Sequence, residues 1–204
     1  MAVAMFRHEE RHDYTYRDYL NMPDDGNRWE IIHGVPYMME VPSFLHQWIL
    51  GELLNKFYNF LEDRRCCALP APLDLRLPLY GENDEDTTNI VQPDISVYCN
   101  FKNLDEIGRI LPTLVVEIMS PSSAKMDRYR KHRLYQLAGI PEYWLVDPKD
   151  ELIEVFVHDG KTYKRKAFYD AQNDAYSVAI STALPGFEVA VAEIFPGEEL
   201  TNGN

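Results

Sequence analysis

Two carboxylates interrupt apolar runs in this 204-residue chain, and chemistry could be built on them. Glu117 stands inside Leu114-Val-Val-Glu-Ile-Met119, a run of aliphatic and β-branched residues that predicts a buried strand. Asp94 follows Pro93 in Val91-Gln-Pro-Asp-Ile-Ser-Val-Tyr98, a second strand-like run whose proline suits a strand start or edge. An ionised carboxylate withdrawn from water is destabilising unless a cation or hydrogen-bond donors offset the loss. Two acids on neighbouring strands can share one hard cation such as Mg²⁺, leaving positions for water and phosphate oxygens. Asp127, Lys131 and Tyr135 then recur at i, i+4 and i+8, which on a helix places them on one face. Turned toward Glu117, that face would let Lys131 neutralise the acids, bind a phosphate or lower the pKa of an attacking water. Turned outward, it is an ordinary solvated Asp–Lys pair, and spacing alone leaves both open.

These residues need elements to position them. Thr15-Tyr-Arg-Asp18 is a capping-box-like helix start, and Arg28 to Val41 reads as a hairpin folded back at Gly34, with Glu30 on its first arm. Ser43 caps the longest helical pattern, in which Leu45, Trp48/Ile49, Leu53, Phe57 and Phe60/Leu61 recur at three- and four-residue spacing. His46, Gln47 and Glu52 ride on that helix and are expected in solvent or at a boundary. Pro72 to Pro78 alternates as a strand carrying Asp74, followed by the acidic loop Gly81 to Asp86. After the Glu117 strand a helix is expected from about Ser123 to Ala138, ended by Gly139, then a buried strand Glu142–Asp147. Strands at Leu152–Val157, Tyr163–Tyr169 and Tyr176–Ile180 and a tail through Leu184 to Val191 complete the order. Helices flanking a mixed central sheet, an α/β fold, suit this order best.

Composition sets bounds. Length and a hydrophobic content of 46% fit one domain, from residue 14 to 204, behind a loose arm at 1–13. No apolar run is long enough for a membrane span, and the opening residues have no apolar core of signal-peptide length, so a cytoplasmic protein is expected. The three cysteines, two adjacent at Cys66 and Cys67, are expected to serve packing rather than a disulfide framework. A formal charge of −13 argues against broad non-specific binding of nucleic acid, although Lys125–Arg133 and Lys161–Lys166 are locally basic. The literal H-E-x-x-H at His8–His12 matches a zinc-protease pattern, but lacks an apolar face and a third ligand, so a solvated tail is the better reading.

Together Trp29-Glu-Ile-Ile-His-Gly34, the helix with His46-Gln47, Gln92-Pro-Asp94, Leu114 to Ser122, Asp127 with Lys131 and Tyr135, and Ala138 to Pro148 resemble the Uma-type restriction endonuclease family, a branch of the PD-(D/E)XK nucleases. The similarity runs in order from about Tyr14 to Phe195. It implies an αβββαβ, restriction-endonuclease-like core and a Mg²⁺- or Mn²⁺-dependent phosphodiesterase site acting on nucleic acid, DNA first. In that resemblance Asp94 and Glu117 are the metal ligands, Glu30 is a third carboxylate or water-orienting group, and the Ile118 carbonyl is a further ligand. Asp74 is a weaker candidate. The superfamily's lysine belongs two residues after Glu117, where this chain has Met119; Lys131 is the candidate replacement. A homodimer is expected, since cutting two strands requires two sites.

Two other classes remain. A degenerate nuclease fold could bind nucleic acid or a protein partner without cutting, as the acidic charge and missing in-strand lysine suggest. A two-carboxylate glycosidase would also use acids at strand ends, but no aromatic sugar platform is evident.

Overall fold

A computed structural model describes residues 13–62, 64–99, 101–174 and 176–197. Thr15 forms the expected capping box with Asp18 and starts α1 (Tyr16–Leu20). The hairpin forms as β1 (Trp29–Ile32) and β2 (Val35–Met38), with Ile32 opposite Val35 across a tight turn in which His33 and Gly34 both have positive φ. Ser43 accepts a hydrogen bond from the His46 N–H and caps α2 (Phe44–Leu61), whose buried residues Ile49, Leu53, Phe57 and Leu61 lie one turn apart.

The run read as one strand through Asp94 divides between two sheets. Its first part, β5 (Ile90–Val91), joins the hairpin and β4 (Leu75–Arg76) in a four-stranded sheet ordered β2-β1-β5-β4. Its second part, β6 (Ile95–Tyr98), joins β3 (Cys67–Pro70), β7 (Leu114–Ile118), β8 (Glu142–Asp147), β9 (Leu152–His158) and β10 (Tyr163–Asp170). This six-stranded sheet runs β10-β9-β8-β7-β6-β3 and is mixed: β7 and β8 are parallel, the other pairs antiparallel. Gln92-Pro93-Asp94 is the crossing between sheets, where a proline without an N–H interrupts pairing at little cost. The strand expected over Pro72–Pro78 shrinks to β4. β11 (Val178–Ile180) pairs with β12 (Glu188–Ala190) near the end of the described chain.

Between β7 and β8 the chain crosses over through a π-wound turn, Met126–Lys131, running into α3 (His132–Ala138), which Gly139 closes in the left-handed region at φ 80°. Alternation along β7 sorts the two faces of the large sheet. Leu114, Val116 and Ile118 pack with α2, while Val115 turns toward the crossover helix and the small sheet, among Leu134, Tyr135, Ile32 and Val91. Glu117 shares the face of Val115.

The cysteine expectation is corrected. The β3–β6 register sets Cys67 opposite Tyr98, which brings Cys66 against Cys99, and these two form a disulfide. Cys67 remains a free thiol. The H-E-x-x-H segment lies outside the described residues. Among the described residues no helix is long and apolar enough to cross a membrane.

Candidate active site

Glu117 and Lys131 meet in the interior. Glu117 is 3% exposed and Lys131 is 3% exposed, and Lys131 Nζ donates to Glu117 Oε1 at 3.0 Å. The same ammonium lies 2.9 Å from Glu30 Oε1 and 3.8 Å from Asp127 Oδ1. Tyr135, one turn further along the helix, donates its OH to Glu117 Oε1 at 2.5 Å. The face expected from spacing thus points inward, and the π-wound turn carries Asp127 and Lys131 on it. Met119 is packed among apolar residues including Leu134 and Tyr135, so it has no part in the polar cluster.

Asp94 comes to this cluster through strand register. Ile95 pairs with Val116, so one step further Asp94 faces Glu117. Its Oδ2 accepts the backbone N–H of Ile118 at 2.7 Å and lies 3.2 Å from His46 Nε2. His46, expected at a boundary, instead turns its imidazole to this acid, with its Nδ1 buried and without a hydrogen-bond partner. The Ser43 cap that sets its backbone was the signal available; the partner 48 residues away was not. Glu30 Oε1 also accepts the Gln92 backbone N–H at 2.7 Å, tying the hairpin to the crossing. Asp74 stands apart: its Oδ1 accepts from Gln92 Nε2 at 2.8 Å and from Tyr19 OH at 3.1 Å.

The charges explain the titration of the site. Burial works against the Lys131 ammonium, but Glu117, Glu30 and Asp127 outweigh it and hold its pKa well above the ordinary lysine value. Burial pushes Glu117 well above the usual carboxylate range, with Lys131 pulling the other way. Burial likewise raises Asp127 to about 6. One ammonium facing three buried carboxylates leaves an excess of negative charge, so the cluster favours taking up a proton or another cation. His46 is raised as well: burial opposes its charged form, but the hydrogen bond to Asp94 and the charge of that acid prevail.

Could such a site hold a metal? Oε1 of Glu117 is taken by Lys131 and Tyr135, and Oδ2 of Asp94 by Ile118 and His46, which leaves Oε2 and Oδ1 outside these hydrogen bonds. Among the described residues no group of three or more His, Cys, Asp or Glu is arranged around one ion position. Two free carboxylate oxygens without a third ligand suit Mg²⁺ or Mn²⁺, which bind through one or two carboxylates and keep water and phosphate in the remaining positions. They do not suit structural zinc, which needs four nitrogen or sulfur donors.

The family model Uma2, described as "Putative restriction endonuclease", matches residues 16–192. An uncharacterized protein of Synechocystis sp. (strain ATCC 27184 / PCC 6803 / Kazusa), slr1290, is 30% identical over 129 residues, 62% of this chain. The match spans 64% of that relative's length, less than two thirds. A crystal structure described as a "putative nuclease belonging to DUF820", from Anabaena variabilis ATCC 29413, aligns with a TM-score of 0.68 at 19% identity, over 89% of this chain and 97% of that one. At that identity the likeness speaks for the fold alone.

Proposed function

Because the chain belongs to the Uma2 restriction endonuclease family, we propose that it is a metal-dependent endonuclease hydrolysing phosphodiester bonds in nucleic acid, with DNA the expected substrate. The observation that carries this reading is the position of Lys131 Nζ, 3.0 Å from Glu117 Oε1 and 2.9 Å from Glu30 Oε1. It supplies from the helix the cation that Met119 cannot supply from the strand.

Asp94 and Glu117 are the residues that would hold Mg²⁺ or Mn²⁺, with the Ile118 carbonyl a further candidate. A divalent ion there supplies Lewis acidity, lowering the pKa of a bound water and offsetting charge on the reacting phosphate. The chain's own groups do the positioning. Ile118 N–H and His46 fix one oxygen of Asp94, which orients the other. Lys131 and Tyr135 fix one oxygen of Glu117 in the same way. Glu30 anchors Lys131 and the Gln92 N–H together, so it holds the lysine in register rather than forming part of an ion site. Lys131 keeps its proton and acts as a fixed positive charge near the developing anion. Cutting both strands of a duplex requires two such sites, and a homodimer is part of the proposal.

A second reading, a nuclease fold that binds without cutting, is favoured by one observation. Lys131 is already surrounded by three carboxylates and nearly excluded from solvent, so its ammonium has acceptors without a phosphate. The deciding experiment is cleavage of supercoiled plasmid and single-stranded DNA with Mg²⁺ or Mn²⁺, beside Glu117→Ala and Lys131→Ala. Metal-dependent nicking that disappears in both folded variants supports the enzyme. Intact substrates in every case, with metal binding still seen by calorimetry, favour the non-cutting relative.

A further inference from the structure

The crossover segment carries a second stripe of residues, turned away from the one that enters the site. Lys125, Tyr129 and Arg133 recur at i, i+4 and i+8, offset by two positions from Asp127, Lys131 and Tyr135, and all three are exposed. Arg130 lies between the two stripes and is exposed as well. Arg128 is committed to Asp147 and Glu154. Lys125, Arg130 and Arg133 have no acid within ion-pair distance among the described residues, although the chain as a whole has a formal charge of −13. Exposed cations elsewhere do find acids, as Arg17 does in Glu85 and Asp86 and Lys56 in Glu193. Three unpaired positive charges on one short segment repel one another, and a polyanion relieves that repulsion.

Arg130 places this ridge at the rim of the acid cluster. Its guanidinium sits 5.0 Å from the centre of the Tyr37 ring, and Tyr37 lies directly opposite Glu30 in the β1–β2 register, so the two share one face of the hairpin. Glu30 reaches the Lys131 ammonium at 2.9 Å, and Lys131 follows Arg130 in the chain. Two side chains, Tyr37 and Glu30, therefore connect the exposed guanidinium to the buried ammonium. Glu40, the acid just past the same hairpin, accepts a hydrogen bond at 2.6 Å from Ser122 in the loop that follows the Glu117 strand. Stacking on Tyr37 uses the flat face of the guanidinium and leaves its edge, where all five N–H donors lie, free for an anion. Because the ring already holds the side chain, less rotamer freedom is lost when a phosphate oxygen binds, and the paired N–H groups of the edge match two such oxygens.

We infer that Arg130, flanked by Lys125 and Arg133, holds the sugar–phosphate backbone of a nucleic-acid strand beside the phosphate that enters the acid cluster. This rests on the nuclease reading above and gives it a binding surface. The test uses the full chain as wild type, Arg130→Gln, the triple variant Lys125→Gln/Arg130→Gln/Arg133→Gln, and Lys164→Gln, which removes the same charge from an exposed position on the edge strand β10. Each binds labelled duplex and single-stranded oligonucleotides in Ca²⁺ over a range of salt concentrations, and each is melted without nucleic acid. Arg130→Gln should bind about tenfold more weakly at low salt and lose about one phosphate's worth of salt dependence, a slope change of about 0.9 for duplex and about 0.7 for single strands. The triple variant should change the slope by about three times as much. Lys164→Gln should bind as wild type does. Melting temperatures should stay near that of wild type, since every substituted side chain is exposed. Wild-type affinity and slope in Arg130→Gln and the triple variant, or an equal loss in Lys164→Gln, overturns the inference while leaving the nuclease reading standing, because the oligonucleotide is still bound. Wild-type protein that binds neither oligonucleotide overturns both.

Discussion

Lys131 stabilises Glu117 from the following helix, with Nζ 3.0 Å from Oε1, whereas Met119, two residues after Glu117 on the chain, is sealed in an apolar cluster. The positive charge that reaches this carboxylate thus stands on the crossover helix and not on the strand. Several consequences can be measured.

Removing the lysine should cost more than removing its partner. Lys131→Met leaves Glu30, Glu117 and Asp127 buried without their counter-ion and should destabilise the fold by about 3–5 kcal/mol. Adding Glu30→Gln takes away one of these buried, uncompensated charges, so the double variant should be less destabilised than the sum of the singles by about 1–3 kcal/mol. Urea denaturation of the four proteins measures this, and additive effects would show that the two side chains are not coupled.

Metal should stabilise the protein. At a hundredfold excess over its Kd, Mg²⁺ or Mn²⁺ should add about 2.7 kcal/mol to folding, seen as a rise in Tm. Asp94→Asn should abolish that rise. The rise should also shrink on acidification, because burial raises Glu117 and a protonated carboxyl does not bind the ion. A Tm shift that persists in Asp94→Asn places the ion elsewhere.

Asp127 gives a pH test of sign. Burial lifts its folded pKa from the ordinary aspartate value of 3.8 to about 6. The folded state holds the proton more tightly, so this contribution is fully present below about pH 4 and is lost as pH rises through 6. Two units correspond to at most about 3 kcal/mol. Metal-free Asp127→Asn should therefore gain stability relative to wild type between pH 4 and 7, by calorimetry at each pH. Parallel curves for the two proteins would refute the shift.

His46 should tune Asp94 rather than support the fold. Losing its contact with Oδ2 should weaken metal affinity by about 10–100-fold in His46→Ala, with little change in Tm. Isothermal titration with Mn²⁺ reads this directly. An affinity that is unchanged or higher would mean that the imidazole competes with the ion for Asp94 instead of orienting it.

Local chemistry was legible from the residues alone. The Thr15 and Ser43 caps, the hairpin turn at His33-Gly34, the strand around Glu117 and the shared face of Asp127, Lys131 and Tyr135 all follow from backbone periodicity and side chains that bond within one turn. The acids themselves were conspicuous because a carboxylate in an apolar run needs a partner. Which partner it finds was decided only by packing in three dimensions. His46 and Asp94, Glu30 and Lys131, and Cys66 and Cys99 are separated by dozens of residues, and each pair meets because a sheet register or a helix docking brings it together. The run through Gln92-Pro93-Asp94 shows the same division. Its composition specifies extended backbone on both sides of the proline, but only the competition of two sheets for its hydrogen bonds splits it, leaving Asp94 at the crossing where it can face Glu117.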